Sequence, residues 1–192
     1  MSESMELNLS DQELIGEIRA GSAVAFERLM KRYEKLVYKI AYGLTGQRES
    51  ALDVTQNVFL RVHSKLPTYR AEGDLRNWIL RIASNESLNW NRSRRRIRET
   101  GLSDDRAAAV AAAPPPQEEL FSRRERWGQI RDSLGTLNPK HRLAVVLRYV
   151  EGMPVREIAA VLECSEGVAK NILFRSLKKL RDRLAATAEI PT

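Results

Sequence analysis

Residues 107–116 read AAAVAAAPPP, and no other stretch restricts the fold as strongly. Three consecutive prolines remove three backbone donors, cannot continue a helix and favour an extended chain. Asp104 and Asp105 precede the stretch, Glu118 and Glu119 follow it, and large apolar side chains are scarce. Residues 99–119 therefore cannot bury enough surface to fold alone and are expected to form a flexible linker. The linker divides the 192-residue chain into residues 1–98 and 120–192. Each block is close to the lower size limit for a core of its own.

Helix signals dominate both blocks, and no stretch sustains strand alternation. The expected fold class is all-α, with two small helical domains joined by the flexible linker. In residues 1–98, Ser10 with Glu13 forms a capping box opening a short helix with Leu14 and Ile18 inward. Ser22 caps a second helix, whose stripe runs Phe26, Leu29, Met30, Tyr33, Val37, Ile40 and Leu44 before Thr45-Gly46 ends it. A third runs from about Glu49 to Lys65, with Leu52, Thr55, Val58, Phe59, Val62 and Leu66 turned inward or partly so, and Pro67 stops it. A fourth starts near Asp74 and carries Trp78, Ile79, Ile82 and Ala83 on its apolar side toward an arginine cluster at residues 92–98. The result is a four-helix bundle.

In residues 120–192, a helix is predicted from about Leu120 to Leu134. Asn138 caps the next, with Pro139 at the favoured first position and Leu143, Val146, Leu147 and Val150 as its stripe. Gly152 ends it. Pro154 opens a short helix with Val155, Ile158, Ala159 and Leu162; a turn at Glu163-Cys164 follows, and Ser165 caps a long last helix through Leu184. Two helices joined by a tight turn, the second basic, form a helix-turn-helix. The turn position at Glu163 demands a left-handed backbone, which costs a non-glycine residue on the order of 1 kcal/mol.

Charge points the same way. The chain holds 32 Lys and Arg against 25 Asp and Glu, and residues 120–192 alone hold 14 basic and 8 acidic side chains. Clustered cations on such a chain favour a polyanion. In the last helix, Lys170, Asn171 and Arg175 stand in the half that can enter a major groove. Lys178, Lys179, Arg181 and Arg183 follow, suited to phosphates. Val168, Ile172, Leu173 and Leu177 are expected to form its packing face.

Two further faces stand out. On the third helix Asp53, Gln56, Asn57, Leu60 and Arg61 share one side at spacings of three and four. A polar face with an exposed Leu suits docking to another protein, or is simply solvated. On the fourth helix Asn77, Arg81, Asn85, Leu88 and Arg92 share one side, with Trp90 nearby. Amides, guanidinium groups and an aromatic platform suit single-stranded nucleic acid. Trp78 is assigned to the core; Trp90 fits either a stacking or a packing role.

Together these segments resemble a known family. The stretches Asp53-Val-Thr-Gln56-Asn57-Val-Phe59 and Leu75-Arg-Asn-Trp78-Ile-Leu-Arg81-Ile82-Ala83-Ser-Asn85 are similar to those of group IV, extracytoplasmic-function sigma factors of bacterial RNA polymerase. In the second block Leu147-Arg148-Tyr149-Val-Glu151-Gly152-Met-Pro-Val-Arg-Glu157-Ile158-Ala159 and the run Lys170 to Leu180 extend the resemblance. It implies a sigma-2-like bundle in residues 1–98 and a sigma-4-like helix-turn-helix in residues 120–192. Asp53, Gln56, Asn57, Leu60 and Arg61 would dock on the clamp helices of the largest subunit of core RNA polymerase. Tyr69 and Arg70 in the Thr68–Asp74 loop, with Asn77, Arg81, Asn85, Leu88, Trp90 and Arg92, would open and hold the −10 element of promoter DNA. Ser165, Lys170, Asn171, Arg175, Lys178, Lys179 and Arg181 would bind the −35 element. An anti-sigma factor is the further partner the resemblance implies. The sequence departs from the family where an acidic residue is usual at Asn57 and an Asp at Asn89. It departs again in the last helix, at Val168-Ala169 and Asn171-Ile172.

The competing reading is a helix-turn-helix regulator that acts without being a polymerase subunit. An enzyme is not expected: no Gly-rich phosphate loop, metal constellation or His-based pair stands out, and no cofactor is implied. Cys164, in the turn, reads as a small buried hydrophobe, and His63 and His141 as surface or half-buried side chains. No run of ~18 apolar residues is present, so membrane insertion is not expected. The N-terminus lacks the pattern of a secretory signal, and a cytoplasmic location is expected.

Overall fold

Capping residues divide the chain into helices much as local chemistry demands. The structure, a computed structural model, describes residues 9–70, 73–99, 130 and 132–188. Nearly all of the expected linker, residues 99–119, and most of the helix expected from Leu120 to Leu134 lie outside these residues. No strand occurs among the described residues.

Helix α1 is Asp11–Arg19, α2 Ala23–Thr45, α3 Arg48–Lys65 and α4 Leu75–Glu99. The Ser10 hydroxyl accepts from the Glu13 amide at 3.3 Å and the Glu13 carboxylate accepts from the Ser10 amide at 2.6 Å, closing the capping box. Ser22 caps α2, and Gly46, at φ +68°, ends it with a bond to the Tyr42 carbonyl. Pro67 turns the end of α3 into one 3-10 turn, Leu66–Thr68. The Asp74 side chain accepts from the Arg76 amide at 2.8 Å at the start of α4. The four helices form a bundle around Leu14, Leu29, Val37, Ile40, Val58, Val62, Ile79 and Leu80.

The second domain comprises α5 Pro139–Val145, α6 Val155–Val161 and α7 Glu166–Ala188. The Asn138 side chain accepts from the His141 amide at 3.0 Å, with Pro139 in the first turn. α5 runs on into a wide π-type turn, Val146–Val150, and Gly152 follows at φ +66°. The wider turn holds one more residue than an α-turn, which rotates Val150 off the expected stripe and leaves it exposed. α6 and α7 form the helix-turn-helix, and Glu163 takes the left-handed conformation at φ +52°.

Two further inward assignments are corrected. Leu52 is exposed because Ala51, one residue earlier, occupies the buried position of that turn. Val168 is exposed because α7 packs through Ala169, Leu173 and Ser176. A reading that weights large apolar residues overlooks Ala and Ser, yet small side chains bring helices closest together. Ser176 is satisfied by donating to the Ile172 carbonyl at 2.6 Å and by the His141 ring at 3.0 Å. Cys164 is half-buried against the core, and His63 meets the Phe26 ring edge-on at 4.8 Å. The two domains do not keep separate cores: buried residues from Leu14 to Leu173 form one continuous cluster.

Candidate nucleic-acid interface

The α3 face is positioned by its own period. Val54, Val58, Phe59 and Val62 are buried, so Asp53, Gln56, Asn57, Leu60 and Arg61 point outward. Leu60 is 68% exposed, and Leu52 adds a second apolar side chain to this side. Arg61 is committed elsewhere, in an ion pair with Glu86 of α4 at 2.7 Å.

The α4 face opens into two clefts. One, of about 510 Å³, lies between the loop after α3 and the first turns of α4, with Tyr69, Arg70, Asn77, Trp78 and Arg81 on its walls. The Tyr69 hydroxyl donates to the Gly73 carbonyl at 2.7 Å and its ring stands 4.8 Å from Trp78. Burial, helped by nearby Asp74 and Asp11, holds that phenol above its ordinary pKa, so it remains a protonated donor. The Arg19 guanidinium donates to the Tyr69 carbonyl and anchors the loop on α1. The Asn77 side-chain oxygen is buried without a hydrogen-bond partner. The second cleft, of about 260 Å³, has Arg61, Asn85, Leu88, Asn89 and Arg92 on its walls.

Seven of the eight residues expected on the −10 side thus border one cleft or the other; Trp90 does not. An advance of 100° per residue puts Trp90 on the opposite side of α4 from Asn85 and Arg92. There it packs half-buried against the core, with the Arg94 guanidinium 5.2 Å from its ring centre and bonded to the Gln47 side chain at 2.6 Å. Trp78, assigned to the core from sequence, does pack half-buried against it and also borders the first cleft.

On α7, Lys170, Asn171 and Arg175 are exposed along one face, as are Lys178 and Arg181 further on. Ser165 accepts from the Val168 amide at 3.3 Å and serves as the cap. Lys179 donates to the Thr136 carbonyl at 2.7 Å, so its ammonium already has a partner. Phe174, 70% exposed between Asn171 and Arg175, was missed. Its spacing of four from Lys170 and three from Asn171 is the signal that places it on the same face. His141 lies behind this helix; desolvation first, then Arg175 and Lys179, hold its pKa below the ordinary value. No helix among the described residues is long and apolar enough to cross a membrane.

Comparison with known proteins supplies an independent view. Residues 29–97 match the Sigma-70 region 2 family and residues 127–180 the Sigma-70, region 4 family. The ECF RNA polymerase sigma factor SigE of Mycolicibacterium smegmatis is 33% identical over 161 residues, 84% of this chain and 62% of that protein. BldN of Streptomyces coelicolor, another ECF RNA polymerase sigma factor, is 30% identical over 171 residues, 88% of this chain and 63% of that protein. The chain therefore spans less than two thirds of the length of these two relatives. The ECF RNA polymerase sigma-E factor of Haemophilus influenzae is 27% identical, with 94% of this chain and 98% of that one aligned. In fold, the chain is similar to CnrH, solved with the cytosolic domain of CnrY, at a TM-score of 0.68 and 22% identity, covering 92% of this chain and 97% of that one. It is also similar to RpoE of Bartonella quintana, solved with the anti-sigma factor NepR, at a TM-score of 0.63 and 22% identity, covering 83% and 96%.

Proposed function

This chain belongs to the sigma-70 family, among the ECF sigma factors, and from that premise we propose that it is an alternative sigma factor that binds core RNA polymerase and directs it to specific promoters. The observation that carries the proposal is the presence, in one chain, of two unlike nucleic-acid faces. A helix-turn-helix exposes Lys170, Asn171, Phe174 and Arg175, and a separate bundle lines clefts with Asn77, Trp78, Arg81 and Asn85. The first suits duplex DNA and the second suits unstacked bases. A regulator that only binds duplex has no use for the second.

Asp53, Gln56 and Leu60 on α3 dock on the clamp helices of the polymerase, with Asn57 leaving that face one charge short. Tyr69, Arg70, Asn77, Trp78, Arg81 and Asn85 take the −10 strand, and Arg92 its backbone. Lys170, Asn171 and Arg175 read the −35 duplex, Phe174 offers apolar contact to a thymine methyl, and Lys178 and Arg181 hold phosphates. Residues 1–98 and 120–192 are the working units, with 99–119 between them. CnrH and RpoE were solved with the partners CnrY and NepR, the latter an anti-sigma factor, and an anti-sigma factor is proposed here as the natural inhibitor.

Run-off transcription with core polymerase on a genomic library is the test. Transcripts that start at a shared sequence pair only when the protein is added are expected. DNA binding without retention of core polymerase would replace this reading by that of a regulator acting alone.

A further inference from the structure

Helix α1 has nine residues, too few for a helix to be stable in water by itself. Its position therefore depends on what it is fastened to. At its start the Asp11 carboxylate accepts from the Arg32 guanidinium of α2 at 2.6 Å and from the Tyr33 hydroxyl. The same guanidinium donates to the Leu9 carbonyl at 2.5 Å. Leu14 and Ile15, in the middle of the helix, are buried in the bundle. These contacts make α1 a fixed base beside α2.

Arg19 stands in the last turn of α1, where an arginine commonly serves the carbonyls of its own helix. Here the backbone already closes that end, since the amides of Ala20, Gly21 and Ser22 donate to the carbonyls of Gly16, Ile18 and Glu17. The Arg19 guanidinium instead donates to the Tyr69 carbonyl, fifty residues on. The Tyr69 ring and hydroxyl have other supports, Trp78 at 4.8 Å and the Gly73 carbonyl at 2.7 Å. What Arg19 adds is the direction of the next peptide. A peptide unit is planar, so a bond to the Tyr69 oxygen also orients the Arg70 nitrogen and the course on which Arg70 leaves. Arg70 is exposed and borders the cleft of about 510 Å³ together with Asn77 and Arg81.

We propose that Arg19 is a positioning residue for −10 recognition, which acts from α1 through the Tyr69–Arg70 peptide and holds Arg70 at the mouth of the cleft. The inference rests on the reading of that cleft as the site of the −10 strand. A side chain whose backbone is held in place loses less freedom when the strand arrives, and it discriminates more sharply than one that must first be ordered. The bond suits this task, because a charged donor on a carbonyl is stronger than a neutral pair. Arg19 touches no promoter atom in this scheme, so its effect is confined to what Arg70 does.

The test uses the full chain with core RNA polymerase in run-off transcription, on a matched promoter and on versions singly substituted in the −10 or the −35 element. Arg19 is exposed, so its replacement opens no cavity. Arg19→Ala is expected to lower transcription from the matched promoter about tenfold. It is also expected to narrow the gap between matched and −10-substituted promoters and to leave the −35 gap as it was. Arg19→Lys, which keeps a charged donor, is expected to restore most of the loss. In an Arg70→Ala background Arg19→Ala is expected to change nothing further, since two residues acting through one contact are not additive. A fall at every promoter alike, with both gaps kept, would make Arg19 a structural support and overturn the proposal. A second loss in the Arg70→Ala background would overturn the route through Arg70. Wild-type behaviour of Arg19→Ala, with −10 discrimination intact, would overturn the proposal and leave the strand-binding reading standing. Wild-type transcription indifferent to −10 substitutions would remove that reading and this proposal with it.

Discussion

Arg61 Nε lies 2.7 Å from Glu86 Oε1, and this ion pair ties the outer face of α3 to the cleft side of α4. Glu86 is mostly buried while Arg61 is half exposed, so loss of the arginine would strand a carboxylate with little water around it. The same arginine lines the cleft with Asn85 and Arg92. Arg61 is therefore a structural hinge between two proposed surfaces before it is a contact of either.

Arg61→Ala is expected to destabilise the fold by about 1 kcal/mol, seen as a lower midpoint in thermal denaturation. Asp53→Ala with Gln56→Ala, on the same face but without such partners among the described residues, is expected to leave that midpoint unchanged and to weaken retention of core polymerase. A double variant that melts early would make this pair structural and remove the docking role.

Asn85→Ala and Arg81→Ala are expected to reduce permanganate reactivity of unpaired thymines at a promoter while polymerase binding survives. The Arg81 variant also loses the Glu163 pair at 3.7 Å. Equal loss of polymerase binding would contradict the assignment of this face.

On α7, Arg175→Ala is expected to cost ~1–3 kcal/mol and to relax preference at one −35 position. Phe174→Ala should blunt discrimination at a neighbouring thymine. Lys178→Ala should weaken all sites alike and lower the salt slope by about one unit. Lys179→Ala should change that slope less, because its ammonium is held by the Thr136 carbonyl. Affinities for matched and singly substituted duplexes at several salt concentrations separate these outcomes.

His141 gives a pH dependence with a definite sign. Desolvation, Arg175 and Lys179 lower its pKa in the folded protein, so the unfolded chain takes up the proton first, at an ordinary pKa of about 6.5. Its contribution is complete above that pH and is lost as pH falls toward the folded-state pKa. Denaturant melts at a series of pH values are expected to show this loss in the wild type and a flatter profile in His141→Gln. An identical profile in both would assign the dependence to other groups.

Helix starts and stops were legible because their causes are local. Ser10 with Glu13, Ser22, Asn138 and Gly46 act through bonds to residues at most four positions away and perform the expected tasks, and Gly152 takes the left-handed backbone expected of it. The outward faces of α3 and α7 were legible for the same reason, since one buried stripe leaves the opposite side to solvent. Burial between elements was not. Leu52, Val150 and Val168 were assigned inward, and Trp90 to the same surface as Asn85, because periodicity names a stripe without naming what it meets. The linker composition suggested two independent units, yet Gly43 meets Val146 and Arg142 caps α2 from the other domain. Those contacts join residues about a hundred positions apart. Nothing in the local sequence of either partner specifies them, because they exist only once both helices are folded and brought together.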